Sequence, residues 1–176
     1  GKILKYNAEN DIHFYRITSA LIPLATHPEV NWDYRRLFKI DLKILGDFIK
    51  QNNMRVDTHP DQFNVINSVD DSVVESTMRN LWFHVNLFED LEYPHGRMVL
   101  HVGSAAGGKE AALKRFERNF RTYPDEITSK LILENDDNTF TARETLRLCK
   151  SLNLPMVLDV HHHICNNEGD DLMDLL

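Results

Sequence analysis

The chain has 176 residues, 42% of them apolar and 27% charged, with a formal charge of −7, which is enough for one domain with a sizeable core and excludes a disordered or fibrous chain. No apolar run approaches the roughly 20 residues of a membrane span, and Gly1-Lys2-Ile3-Leu4-Lys5 is not followed by the apolar core of a secretion signal, so a cytoplasmic protein with no membrane partner is expected. The acidic balance excludes a general nucleic-acid coat, which is driven by displacing counterions with Lys and Arg.

In chain order, residues 1–9 read as the last turns of a helix and residues 12–17 (IHFYRI) as a β-rich run. Residues 31–53 place Leu37, Ile40, Leu42, Leu45, Phe48 and Ile49 near helical spacing behind Asn31 as a candidate cap. A short strand follows at 54–59 (MRVDTH), then an amphipathic helix at 70–91, a buried strand at 98–103 (MVLHVG) and a helix at 109–123. LILEND (131–136) is the next strand. The helix at 141–152 opens with Thr141 and a Glu three positions on, a capping-box pattern, and MVLDVH (156–161) is the last strand. Five strands thus alternate with four complete helices. Strands that are apolar throughout expect cover on both faces, and helix-length connections force parallel pairing. The fold class is α/β over a single domain, 1–176. No phosphate-binding glycine fingerprint follows any strand, since GSAAGG (103–108) fits neither dinucleotide nor P-loop spacing.

Working residues in parallel α/β folds collect at the carboxyl ends of the strands. Here those ends carry Arg16, His59, His101, Glu134, and Asp159 with His161, His162 and His163. His59, His101, Glu134 and Asp159 are spaced 42, 33 and 25 residues apart, each interval about one βα unit. Imidazole nitrogens and carboxylate oxygens suit zinc, manganese or iron, and Glu134 is placed to bridge two ions. Without cations, Glu134 and Asp159 at one barrel mouth would repel and take up protons. Alternation along an extended segment would put Asp159, His161 and His163 on one side, whereas a turn after Val160 would bring in His162; spacing leaves both open. His13, His27, His84 and His95 read as structural or surface residues, and Cys149 and Cys165 as free thiols.

The stretches FYRITSALIPLATHP (14–28), THPDQFN (58–64), LHVGS (100–104), LENDD (133–137) and LDVHHH (158–163) closely resemble the ultraviolet damage endonucleases, relatives of endonuclease IV in the xylose-isomerase-like barrel group. The resemblance implies a (β/α) barrel of TIM type that hydrolyses the phosphodiester 5′ of a lesion in damaged double-stranded DNA. It implies that His59, His101 and Glu134 hold one ion, that Glu134 and Asp159 share a second, and that the Asp-x-x-His pattern makes His162 a ligand of a third. Manganese is the implied metal, with zinc as the alternative. The lesion-probing Gln-Tyr pair of the family falls on Gln62 and Phe63, and Arg16 is grouped with them as a DNA contact. Pro60 would stiffen the turn that aims His59 one way and the probing pair another.

A closed barrel of this type has eight strands. Against the family, the first strand and the last two are missing, so a partial barrel lacking some ligands is expected, with open flanks that invite self-association. Two other readings accompany this one: a metal-dependent sugar isomerase or epimerase on the same barrel, and a non-catalytic DNA-binding module.

Overall fold

Each strand is a short apolar run and each connection is long enough to hold a helix, so the strands have to lie parallel. In the computed structural model, which describes residues 1–30 and 32–176, they are β1 (Phe14–Thr18), β2 (Arg55–His59), β3 (Met98–His101), β4 (Leu131–Glu134) and β5 (Met156–Val157). They stand in chain order in one sheet, as successive strands of a (β/α) barrel do. β1 runs parallel to β2 with Arg16 opposite Asp57, Thr58 of β2 pairs with Met98, and β4 runs parallel to β5. The expected α/β class with a parallel sheet is the one observed. No helix of the described residues is long and apolar enough to cross a membrane.

Packing divides the chain into two units, one of residues 1–60 and 79–98, the other of residues 61–78 and 99–176. The first contains α1 (Lys2–Glu9), α2 (Tyr34–Leu37), α3 (Lys39–Gln51) and the later turns of α4 (Asp71–Asp90). Its core is Leu4, Ile17, Leu42, Ile49, Met54, Val56, Leu87 and Leu91, each buried side chain contributing roughly 1.5–3 kcal/mol. Gly46 lets α3 meet the end of α4 directly: a Cβ built there would stand 1.7 Å from the Leu91 carbonyl oxygen. The second unit packs α5 (Lys109–Phe120), α6 (Asp125–Thr128) and α7 (Ala142–Leu152) beside the buried Leu131, Ile132 and Leu133. α7 starts at the expected capping box, in which the Thr141 hydroxyl accepts from the Glu144 N–H and the Glu144 carboxylate from the Thr141 N–H.

The structure departs from the sequence reading at five places. The helix expected over 31–53 is two helices, because Asp33 caps α2 through the Arg36 N–H and the chain leaves helical geometry at Phe38, which packs edge-on against Trp32. Asn31, the expected cap, lies outside the described residues. The short α6 follows Pro124 and opens on Asp125 and Glu126, acids well placed at a helix N-terminus; the expected helix over 109–123 stops at Phe120. β3 ends at His101 because Gly103 takes φ +103°. Arg16 sits in the middle of β1, not after it. The last strand is two residues long and half-buried, and the triple histidine belongs to α8 (Val160–Cys165) instead of an extended segment.

Two predictions follow from the first unit. Gly46→Ala forces its methyl into backbone, where nothing flexible can yield, and should cost about 3 kcal/mol or more; a urea midpoint equal to wild type would overturn the close approach. His84 is buried within α4 and its Nδ1 has no hydrogen-bond partner; burial, with the charge of His59 second, pulls its pKa down to about 4. The unfolded chain takes up this proton near pH 6.5 and the folded one only near 4, so the neutral ring contributes stability that is complete above pH 6.5 and is lost as pH falls towards 4. That loss is about 3 kcal/mol. Urea midpoints across this window should fall less steeply in His84→Leu than in wild type, and identical slopes would refute the assignment.

Candidate functional site

His59 is the last residue of β2, half-buried, and its Nδ1 lies 2.9 Å from the carbonyl oxygen of Pro60. A carbonyl only accepts, so Nδ1 carries the proton and Nε2 keeps its lone pair. The same arrangement recurs twice in the second unit. His101, ending β3, sets Nδ1 3.3 Å from the Glu134 carbonyl oxygen, and His162 sets Nδ1 2.8 Å from that of Asn135. All three imidazoles are therefore held through Nδ1 by a backbone carbonyl, the pattern by which proteins orient metal-ligating histidines.

In the second unit the remaining residues converge. Glu134 ends β4 and is 3% exposed, with its Oε2 3.9 Å from the Nε2 of His101. Glu134, Asp159 and His162 offer ligand atoms that all lie within 4.8 Å of one another. The rings of His101 and His162 stand 5.5 Å apart, tilted by 52°. Asp159 is the cap of α8 and accepts the His162 N–H at 2.9 Å. That hydrogen bond, and then the charge of His162, hold the Asp159 carboxyl below the usual carboxylate range. It is ionised and ready to ligate at neutral pH. The turn that begins at Asp159 selects His162, and it leaves His161 exposed on the outside of α8 and His163 buried behind it.

The segment after β2 is built to display side chains. Asp61 accepts the Phe63 N–H at 2.9 Å and the Asn64 side-chain amide at 3.1 Å, closing a tight turn. Phe63 is 74% exposed at its tip, and Gln62 is exposed beside it. Arg16 is exposed on β1 in the first unit, paired in register with Asp57.

Two buried asparagines were not singled out from the sequence. Asn67 gives its amide to the Ser104 carbonyl at 2.7 Å and accepts the Ser104 N–H at 2.9 Å. Asn135 treats Asp159 in the same way, donating to its carbonyl at 3.0 Å and accepting its N–H at 2.9 Å. Both are fully buried. The available signal was a polar residue directly after an apolar strand run, in LENDD, where water cannot satisfy an amide.

Residues 1–174 match a family model described as UV-endonuclease UvdE. A UV DNA damage endonuclease of Bacillus pumilus (strain SAFR-032) is 37% identical over 174 residues, 98% of this chain and 54% of that protein. One of Bacillus mycoides (strain KBAB4) is 38% identical over 176 residues, 99% and 56% of the two chains. The crystal structure of SacUVDE matches with a TM-score of 0.94 at 38% identity, over 99% of this chain and 60% of that one. A D-psicose 3-epimerase of Clostridium cellulolyticum H10, with D-tagatose, matches with a TM-score of 0.69 at 15% identity over 99% and 62%, a likeness of fold alone. The chain spans a little over half the length of the curated relatives it matches.

Proposed function

Since the chain belongs to the UV-endonuclease UvdE family, we propose that the protein is a DNA repair endonuclease that hydrolyses the phosphodiester 5′ of a lesion such as a pyrimidine dimer, with its strand-end residues holding divalent cations. The observation that carries this reading is the common treatment of the three histidines, each oriented by a backbone carbonyl at Nδ1. Such a set, joined by the carboxylates of Glu134 and Asp159, is the borderline nitrogen and oxygen donor chemistry that manganese and zinc favour.

In this reading His59, His101 and Glu134 would hold one ion, Glu134 and Asp159 would share a second, and His162 would serve a third. Manganese is the metal the family resemblance favours. Bound divalent ions supply Lewis acidity and an acidified water at neutral pH. No side chain has to act as nucleophile. The work of the second unit is to keep Glu134, Asp159 and His162 within reach of one another, to keep Asp159 ionised and to hold Glu134 away from water. Gln62 and Phe63 meet the duplex. A flat aromatic ring on a stiff turn can press into a stack that damage has weakened, because unpairing costs least where pairing is already poor. Phe63 lacks the phenol hydroxyl of the tyrosine more common in the family, so its contribution is stacking alone. DNA as substrate agrees with a cytoplasmic enzyme.

Glu134→Gln keeps size and removes the bridging charge. Nicking of irradiated plasmid by the full-length protein under Mn2+ should fall on the order of a hundredfold or more, the cost of deleting a group that organises transition-state charge. Undiminished cutting would end the metal reading, and turnover of a ketose substrate in place of nicking would move the protein to the epimerases. Phe63→Ala should shrink the preference for irradiated over intact duplex on the order of tenfold in a gel shift, and Phe63→Tyr should leave it intact. Equal preference in Phe63→Ala and wild type would remove the ring from recognition.

A further inference from the structure

The sheet runs out early at β5, and a side chain takes over from the backbone. β4 and β5 pair at Leu133 with Met156 and at Glu134 with Val157, and β5 ends at Val157. Two residues later Asp159 has left the ladder. Its N–H and carbonyl need partners in a place that water reaches poorly. The Asn135 side chain, 0% exposed, supplies both. A primary amide carries the same donor and acceptor as a peptide group, so it can stand in for one more rung of the ladder. Its orientation is fixed by its partners, since the oxygen has to face the Asp159 N–H and the nitrogen the Asp159 carbonyl.

Asn135 does this directly after Glu134 in the chain, and its own carbonyl oxygen accepts from His162 Nδ1 at 2.8 Å. Besides His101, which leans on the Glu134 carbonyl, three candidate ligands therefore depend on one dipeptide. Glu134 is its first residue, Asp159 is held by the side chain of the second, and His162 by the main chain of the second. The Asp159 carbonyl also accepts the His163 N–H at 3.0 Å within α8, so the amide ties the first turn of that helix to the end of β4.

We propose that Asn135 is a positioning residue for the metal site: its buried amide clamps the backbone of Asp159 so that the Asp159 carboxylate stays beside Glu134 and His162 stays beside both. This rests on the metal reading above. No other side chain of similar size does the same work. Aspartate cannot donate to the Asp159 carbonyl, leucine can do neither, and glutamine places its amide one methylene too far.

The test is Mn2+ binding by the full-length protein, followed through the electron paramagnetic resonance signal of free Mn2+, for wild type, Asn135→Ala, Asn135→Asp and Glu134→Gln. With circular dichroism unchanged, both Asn135 variants should bind on the order of 10–100-fold more weakly, the usual effect of losing a group that orients a ligand. Asn135 variants within about twofold of wild type, beside a Glu134→Gln variant that has lost binding, would overturn the role of Asn135 and leave the metal reading standing. Glu134→Gln binding as wild type does would instead overturn the metal reading. A measurement on the unaltered protein covers the case of variants that fail to fold: the Asp159 amide proton should exchange at least about a hundredfold more slowly than an open amide. Free exchange there would show that the clamp does not exist.

Discussion

An imidazole presents a lone pair in a fixed direction only when its other nitrogen is held. In this chain that constraint is met by backbone carbonyls, those of Pro60, Glu134 and Asn135, each the partner of one histidine Nδ1. A carbonyl has no proton to give, so the tautomer follows without any charged partner. The consequence reaches backwards into the sequence. Two of the three carbonyls, those of Pro60 and Asn135, belong to residues directly after a strand, and the third, that of Glu134, to the last residue of one.

Strand ends carry a cost that the two buried asparagines offset. Where a strand stops inside the molecule, the next residues still have N–H and carbonyl groups, and each left unpaired costs about 1–3 kcal/mol. Asn67 covers both groups of Ser104, and Asn135 both groups of Asp159. Gly103, next to Ser104, takes a positive φ, and a Cβ there would come within 2.8 Å of the Asn67 oxygen. Glycine and asparagine therefore belong to one device. Beside it, Arg115 donates to the Asn67 carbonyl and Asn119 to that of Ile66, so the segment bearing Gln62 and Phe63 is fastened at its base and exposed at its tip.

Much of this was legible in the sequence, for identifiable reasons. Apolar runs of strand length and helix-length intervals gave the alternation, the Thr141 and Glu144 pair gave the start of α7, and a metal-ligand residue type at one strand end after another gave the candidate site. What was not legible depends on contacts between distant residues. Phe38 breaks a periodic helix because its ring meets Trp32, and periodicity carries no record of that. MVLDVH has the composition of a strand, yet Asp159 turns inward to cap α8 with its own carboxylate. A local hydrogen bond thus wins over β-propensity, which is the general weakness of propensity as a guide. Gly46 looks like a poor helix residue until Leu91 is set against it.

The charge balance fits a site of this kind better than its sign implies. Many basic side chains are already engaged within their own units: Arg35 with Asp90 and Glu89, Lys43 with Glu92, Lys109 with Glu144 and Glu168, Arg143 with Asp170 and Arg147 with Glu110. Exposed pairs of this sort add about 0–1 kcal/mol each to stability. Their larger effect is to cancel positive field that would otherwise attract nucleic acid of any sequence or condition. A chain that neutralises its own cations gives up the counterion-driven affinity of basic DNA coats. What remains to attract a phosphate is local. Glu134, Asp159 and His162, gathered within the second unit, would repel an anion when bare and would attract one if they held a divalent ion.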